Sequence, residues 1–336
     1  MKYYLIAGEA SGDLHGSNLM VDIKLFDPLC QFRFWGGDKM KSQGGYMVKH
    51  IKETSYMGFW EVSKNIIKIL NNLKLCKKDI IAFNPDVIIY IDYPGFNLRI
   101  AKWAKKNNFK NIYYISPQIW AWKENRITSI KRNIDKMYVI LPFEKDYYKT
   151  KHNYDVTYVG NPLVELINKK KKSKSLSFFK KNKISSKSKI VALLPGSRKQ
   201  EIKKILPTLI NVSKDFLDYK FIIAGAPGIS SDFYTDLIKN SYNVKLIFNQ
   251  TYELLNFSKA AIVTSGTATL ETALFNVPQI VCYKSSLLNY LIAINLIKLK
   301  YISLVNLIMN DKVVEEIIQR KLIVKNINEE LKKILN

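Results

Sequence analysis

Asp92 directly follows the apolar run Val87-Ile88-Ile89-Tyr90-Ile91, so its carboxylate stands at the carboxyl end of a buried strand. That position suits a general base, and equally a carboxylate that caps the next helix. Two later segments are built to hold an anion. Ile190-Val191-Ala192-Leu193-Leu194 runs into Pro195-Gly196-Ser197-Arg198, and the helix-like stretch from Lys199 to Ile205 follows with Glu201 in its first turn. Gly196 lets the backbone come close to a ligand, and Arg198 offers a planar fork to phosphate oxygens. Ala261-Ile262-Val263-Thr264 runs into Ser265-Gly266-Thr267-Ala268-Thr269, and a helix pattern extends from Ala268 to Phe275. Strand, tight loop and helix amino terminus, in that order, present backbone N–H groups and a helix dipole to an anion. Glu271 lies one turn in, where a carboxylate can accept hydrogen bonds from a ribose diol. Either segment alone reads as well as an ordinary capped helix after a buried strand. Two of them, half a domain apart, point to one nucleotide diphosphate held across a single sheet edge. Neither the glycine fingerprint of dinucleotide folds nor a P-loop occurs at these positions.

Three loops of the first half also follow strand-like runs. Gly8-Glu9-Ala10-Ser11-Gly12-Asp13-Leu14-His15-Gly16 is a glycine-rich turn, with Glu9, Ser11, Gly12 and Asp13 as candidate ligand contacts. Asp92-Tyr93-Pro94-Gly95-Phe96-Asn97 carries the candidate base and Asn97. Ser116-Pro117-Gln118-Ile119-Trp120-Ala121-Trp122-Lys123 offers Ser116 and Gln118, with Trp120 and Trp122 to stack on a sugar or line an acyl groove. Core aromatics are the plainer account of the tryptophans.

The elements that must position these residues alternate along the chain. Strand-like runs fall at Tyr3–Ala7, Phe32–Trp35, Val87–Ile91, Ile112–Ile115, Met137–Leu141 and Thr157–Val159, and again at Ile190–Leu194, Phe221–Ala224, Lys245–Phe248, Ala261–Thr264 and Gln279–Cys282. Continuous apolar strands separated by helical patterns predict parallel sheets covered on both faces. The expected class is α/β, with two doubly wound Rossmann-like domains facing each other across a cleft. The expected divisions are a first domain at 1–162, a Lys/Ser-rich linker region at 163–189, a nucleotide-binding domain at 190–310 and carboxyl-terminal helices at 311–336 that could cross back to the first domain. Val313–Gln319 and Ile327–Leu335 read as those helices.

The 336 residues, 47% of them hydrophobic, suffice for two cores. The formal net charge of +25 raises the question of nucleic acid. Most of the basic residues are lysines scattered among Asn and Ile, without a recognition helix or an Arg-rich arm, so a nucleic-acid partner is not expected. A surface facing anionic lipid or a phosphorylated substrate accounts for the sign equally well. Cys30, Cys76 and Cys282 lie far apart, and His15, His50 and His152 do not cluster, so neither a disulfide framework nor a metal site is expected. The amino terminus reads as a first strand rather than a signal peptide. The apolar window Leu287 to Ile297 is far below the roughly 20 residues of a membrane span.

Taken in order, several segments resemble one family, lipid-A-disaccharide synthase, a GT-B glycosyltransferase. They are Ala7-Gly8-Glu9-Ala10-Ser11-Gly12-Asp13, Met57-Gly58-Phe59-Trp60-Glu61-Val62, Ile91-Asp92-Tyr93-Pro94-Gly95-Phe96-Asn97 and Tyr114-Ile115-Ser116-Pro117-Gln118-Ile119-Trp120-Ala121-Trp122, then Leu141-Pro142-Phe143-Glu144, Leu193-Leu194-Pro195-Gly196-Ser197-Arg198, Ser265-Gly266-Thr267-Ala268-Thr269-Leu270-Glu271 and Tyr301-Ile302-Ser303-Leu304. The resemblance spans nearly the whole chain. It implies transfer from UDP-2,3-diacylglucosamine to 2,3-diacylglucosamine 1-phosphate, with inversion, no cofactor and no metal. It implies Asp92 as base and Gly196, Ser197, Arg198, Ser265, Gly266, Thr267, Ala268, Thr269 and Glu271 as donor contacts. Asn306, Glu316 and Gln319 match family residues near the donor.

A lipid substrate further implies a cytoplasmic enzyme, peripheral on the inner face of the inner membrane. The stretch Phe59 to Leu70 then becomes an interfacial helix or acyl site formed by Phe59, Trp60, Val62, Ile66, Ile69 and Leu70, with Lys64 and Lys68 alongside. A core-facing helix shows the same period. The chain departs from the family at Asp38, where Pro is usual, at Asn161, where His is common, and at Asp311, where Arg is usual. Its carboxyl end is shorter than typical, which bears on a tail-mediated homodimer. Two rival readings remain. One is another GT-B enzyme, either a lipid-carrier N-acetylglucosaminyltransferase or a UDP-sugar 2-epimerase. The other is a non-catalytic basic protein that binds membrane or nucleic acid.

Overall fold

The computed structural model describes residues 1–53, 66–172, 177–239, 241–286 and 300–336. It comprises two compact units, Met1–Pro162 and Leu163–Asn336. Among the described residues the first unit is built on a seven-stranded sheet of β1 (Lys2–Ala7), β2 (Gln31–Gly36), β3 (Tyr46–His50), β4 (Val87–Ile91), β5 (Asn111–Tyr114), β6 (Lys136–Val139) and β7 (Thr157–Tyr158), in the order β3-β2-β1-β4-β5-β6-β7. Every pairing is parallel. Successive side chains alternate between faces. Tyr4, Ile6, Ile88 and Tyr90 join one buried cluster with Cys76, Ile80 and Ala101, while Leu5, Ala7, Ile89 and Ile91 join another with Met20 and Met40. Both faces of the sheet are therefore core, which explains runs that are apolar without interruption. Each fully buried side chain of this size contributes roughly 1.5–3 kcal/mol.

The second unit repeats the scheme. Its six-stranded sheet takes β8 (Lys189–Leu194), β9 (Tyr219–Gly225), β10 (Val244–Phe248), β11 (Ser258–Thr264), β12 (Gln279–Tyr283) and β13 (Glu315–Ile318) in the order β10-β9-β8-β11-β12-β13, again parallel. Val191, Leu193 and Ile262 face one cluster, and Ile190, Ala192, Leu194, Ala261 and Val263 the other. In each sheet the strand that comes first in sequence, β1 or β8, lies inside the sheet, and the winding reverses beside it. The reversal lies between β1 and β4 in one unit and between β8 and β11 in the other. Loops at the carboxyl ends of such a strand pair diverge to opposite faces and leave a crevice for a ligand.

The structure differs from the sequence-based expectation in three places. Val313–Gln319 is not a helix: Glu315–Ile318 forms the edge strand β13, paired with Ile280 through Tyr283 of β12. Tyr46–His50, unassigned from the sequence, is the other sheet's edge strand. The Lys/Ser-rich stretch is helical at Pro162–Lys172 and Ser177–Lys181, with Leu163, Ile167, Phe178 and Phe179 buried in the second unit's core. A helix needs only one apolar position every three or four residues to dock, and the five lysines between Ile167 and Phe178 do not prevent it. The terminal helix Val324–Leu335 packs through Ile327 and Leu331 into the same unit's core.

Candidate active site

Asp92 occupies the β1/β4 reversal, and its backbone is held in an unusual shape. Asp92 and Tyr93 lie at φ +46 and φ +50, two consecutive non-glycine residues in the left-handed region. Each such residue stores roughly 1–3 kcal/mol and persists only when its surroundings enforce it. Here the Asp92 carbonyl accepts a hydrogen bond from the Tyr113 hydroxyl at 2.6 Å and from the Asn97 amide at 2.7 Å. Pro94 then opens the helix Pro94–Lys106 with its φ already set. The Tyr93 ring lies flat against Gly8, where a Cβ would come within 2.2 Å of it. Only glycine fits there. Burial pushes the Asp92 carboxyl above the ordinary aspartate range, opposed by the Tyr93 N–H and by the positive charge of Arg126. A carboxylate so raised binds protons more strongly, which is what a base at neutral pH needs.

The other predicted contacts of the first unit divide between surface and scaffold. Glu9 and Ser11 stand at the surface at the start of the helix Ala10–Phe26, and Gly12 lies beneath them against Ala7. Asp13 is turned inward. Its carboxylate takes the backbone N–H groups of Gly37, Met40 and Lys39 at 2.6, 3.0 and 3.1 Å and so caps the helix Asp38–Ser42. Asn97 is fully buried, with its amide directed at the carbonyls of Ile6 and Asp92. It holds the Asp92 backbone in place.

The tryptophan loop rests on a carboxylate that was absent from the sequence-based site. Buried Glu144 accepts from the Ser116 hydroxyl at 2.7 Å, the Trp120 indole at 3.1 Å, and the Leu141 and Ile140 N–H groups at 2.9 and 3.2 Å. Burial raises its pKa, and those four donors oppose the rise. The Tyr148 hydroxyl holds the Pro117 carbonyl at 3.2 Å. Ile115 at φ +64 and Lys123 at φ +54 turn the chain sharply at either end of the loop, and a β-branched residue in that region is rare. Trp120 thus packs edge-on against Phe143, while Gln118 and Trp122 remain exposed. The signal for Glu144 lay in its spacing, Leu141-Pro142-Phe143-Glu144, which is a helix start with a carboxylate at the third position.

In the second unit both predicted anion loops meet at the β8/β11 reversal. Leu194 pairs beside Val263, so the segments that follow start side by side. Gly196 lies at φ +111, and a Cβ there would stand 2.8 Å from a Glu201 carboxylate oxygen. Gly266 lies at φ +152 and opens the helix Thr267–Leu274, with nothing within 4 Å of where a Cβ would be. Thr267 and Ala268 belong to that helix's first turn, whose N–H groups have no intrahelical acceptor. Ser197 and Arg198 are exposed at the start of the helix Lys199–Ser213, where Arg198 donates to Glu201 at 3.1 Å. An exposed pair of this kind holds little energy and is readily exchanged for phosphate oxygens. Thr269 is buried, its hydroxyl turned back to the Gly266 carbonyl. Glu271 accepts from the Tyr252 hydroxyl at 2.7 Å, a partner that sequence reasoning missed.

Asn306, Glu316 and Gln319 lie behind these loops. Glu316 takes the N–H groups of Ile302 and Ser303 and the Asn306 amide, each within 2.9–3.2 Å. Fully buried Asn306 takes the N–H groups of Val313 and Val314. Gln319, at φ +54, bonds both the backbone and the hydroxyl of Ser285. The segment they fix presents the Ile302 carbonyl to the Ser265 hydroxyl at 2.8 Å. Their visible work is to brace the anion loop.

Phe59, Trp60 and Val62 lie outside the described residues. The helix Ile66–Phe83 exposes Ile66, Ile67 and Leu70, whereas Ile69, expected on the same stripe, packs toward the core. Among the described residues no group of His, Cys, Asp and Glu could hold a metal, and no helix is long and apolar enough to cross a membrane.

Comparison with known proteins gives the fold and the family. A solved UDP-GlcNAc 2-epimerase from Neisseria meningitidis, bound to UDP-GlcNAc, shares the fold with a TM-score of 0.64 over 100% of this chain and 99% of its own, at only 14% identity. Sequence relationship is much stronger elsewhere. A lipid-A-disaccharide synthase of Syntrophus aciditrophicus is 38% identical over 94% of this chain and 83% of its own length, and that of Myxococcus xanthus 35% over 98% and 87%. The family description "Lipid-A-disaccharide synthetase" matches residues 3–336. By that match and those identities, the chain belongs to the lipid-A-disaccharide synthase family.

Proposed function

We propose that the chain joins UDP-2,3-diacylglucosamine to 2,3-diacylglucosamine 1-phosphate, with inversion, and releases UDP. Asp92 takes the proton of the acceptor's 6-hydroxyl as that oxygen attacks the donor's C1. The C1–O bond to the diphosphate breaks, and its electron pair leaves on the β-phosphate oxygen. Arg198 and the first-turn N–H groups from Gly266 to Ala268 meet that charge, and Glu271 holds the ribose. What supports this reading is found in each unit separately. A carboxyl with a raised pKa sits at one strand reversal, and paired anion loops sit at the other. Asn306, Glu316 and Gln319 act in it as braces of the donor loop.

The exposed Ile66, Ile67 and Leu70, beside exposed Lys68, support docking on an anionic membrane surface, where both lipid substrates reside. On this reading the enzyme works in the cytoplasm at the inner membrane.

The test is product formation in detergent micelles, read by mass spectrometry. The expected product is the diacylated disaccharide phosphate, formed with chelator present. Turnover of UDP-N-acetylglucosamine instead, by transfer or by 2-epimerisation, would replace this reading with one of its rivals.

A further inference from the structure

Near Asp92 lies positive charge beyond what the donor loops supply. The turn Glu124–Arg126 follows Trp122 and Lys123, and the left-handed Lys123 folds the chain back on itself. Both cations come to one indole: Lys123 Nζ lies 4.4 Å, and Arg126 Cζ 5.2 Å, from the Trp122 ring centroid. The carboxylate between them in sequence, Glu124, is engaged by Lys151 at 2.8 Å and His152 at 3.3 Å. Among the described residues, neither Lys123 nor Arg126 has a carboxylate in ion-pair contact, and Arg126 is half-buried. Burial disfavours the Arg126 charge, and the nearby Tyr113 and Asp92 favour it. Two like charges, partly desolvated on one ring, repel each other until an anion arrives.

The acceptor read above is a single hexose with its attacking hydroxyl at C6 and its phosphate at C1. Base and phosphate must therefore be held one sugar ring apart. We propose that Arg126 and Lys123, carried on Trp122, bind the phosphomonoester of the lipid-borne sugar acceptor and so set its 6-hydroxyl on Asp92. This deepens the transferase reading and rests on it for the acceptor's identity. A planar guanidinium grips two phosphate oxygens at once, and the flexible ammonium closes on a third. The exposed Trp122 ring that carries them is a surface for the pyranose.

The test is a binding and turnover cycle on full-length protein in neutral-detergent micelles. Diacylglucosamine 1-phosphate is compared with the same lipid lacking the phosphate, for the wild type, Arg126→Gln and the exposed Lys123→Gln. Binding is read by titration without donor, turnover with donor, and folding by thermal melt.

We expect the wild type to prefer the phosphorylated lipid by about 10- to 100-fold, the usual worth of charge-assisted hydrogen bonds. Arg126→Gln should lose most of that preference, Lys123→Gln part of it, and neither should change affinity for the phosphate-free lipid. Equal affinity of the wild type for both lipids would overturn the inference. So would a preference that survives in both variants, or one abolished by adding phosphatidylglycerol to the micelle at the same mole fraction, since the cations would then serve any phospholipid headgroup. Phosphate-dependent binding lost in the variants, but without turnover in the wild type, would uphold the anion site and remove the transferase reading.

Discussion

At the scale of single residues the account turns on how Asp92 is held. Its charge is set by three things of known sign: burial raises the pKa, and the Tyr93 N–H and Arg126 lower it. The base form is therefore lost at a higher pH than for an ordinary aspartate, and the acid limb of kcat/KM should lie correspondingly high. Arg126→Gln removes one of the lowering causes, so that limb should move to higher pH still; a shift to lower pH would contradict the assignment. Position is a separate matter. Asn97→Ala leaves the Asp92 carbonyl with one donor fewer and should destabilise the protein by about 1–3 kcal/mol. It should also lower kcat more than it raises acceptor KM, because a misplaced base harms the chemical step rather than binding. An equal change in both would make Asn97 a ligand contact.

At the scale of elements, strand–loop–helix units at the two winding reversals carry the candidate base and the candidate anion loops. Those units were readable beforehand because a strand buried on both faces leaves an unbroken apolar run, and glycine with hydroxyl residues ends it abruptly. The edges were not. Val313, Val314, Ile317 and Ile318 recur at helical spacing, yet their segment pairs with β12 as an edge strand, where only Ile317 is buried. Tyr46–His50 likewise holds no buried residue. An element with one neighbour has little apolar pattern to show. The same limit applies to the bracing residues. Asp13, Asn97, Asn306 and Glu316 could be marked from the sequence as polar residues near the site, but only contacts show that they bond the backbone. Glu144 belongs with them. Glu144→Ala strands the Ser116 hydroxyl and the Trp120 indole and should lower stability by about 1–3 kcal/mol. In the donor loop, Gly196→Ala forces φ +111 on a residue with a Cβ. We expect a loss of roughly 1–2 kcal/mol and a higher donor KM in steady-state assays.

At the scale of the whole molecule, the proposed docking on an anionic membrane rests on a net charge of +25 and on the exposed Ile66, Ile67 and Leu70. Replacing those three residues together with Ser should weaken partition onto phosphatidylglycerol vesicles by more than about tenfold, since each buried methylene is worth ~0.8 kcal/mol. The melting temperature should hardly change, because these side chains are not in the core. Partition that survives would leave the attraction to lysine charge alone.

The central claim is that an enzyme of this family uses Asp92 as its base and the β8/β11 loops for UDP. The most direct measurement compares kcat of the wild type and Asp92→Asn, alongside UDP affinity of both. We expect kcat to fall ~10²–10⁴-fold while UDP binds equally well to the two proteins. Near-normal turnover by a folded Asp92→Asn variant would contradict it.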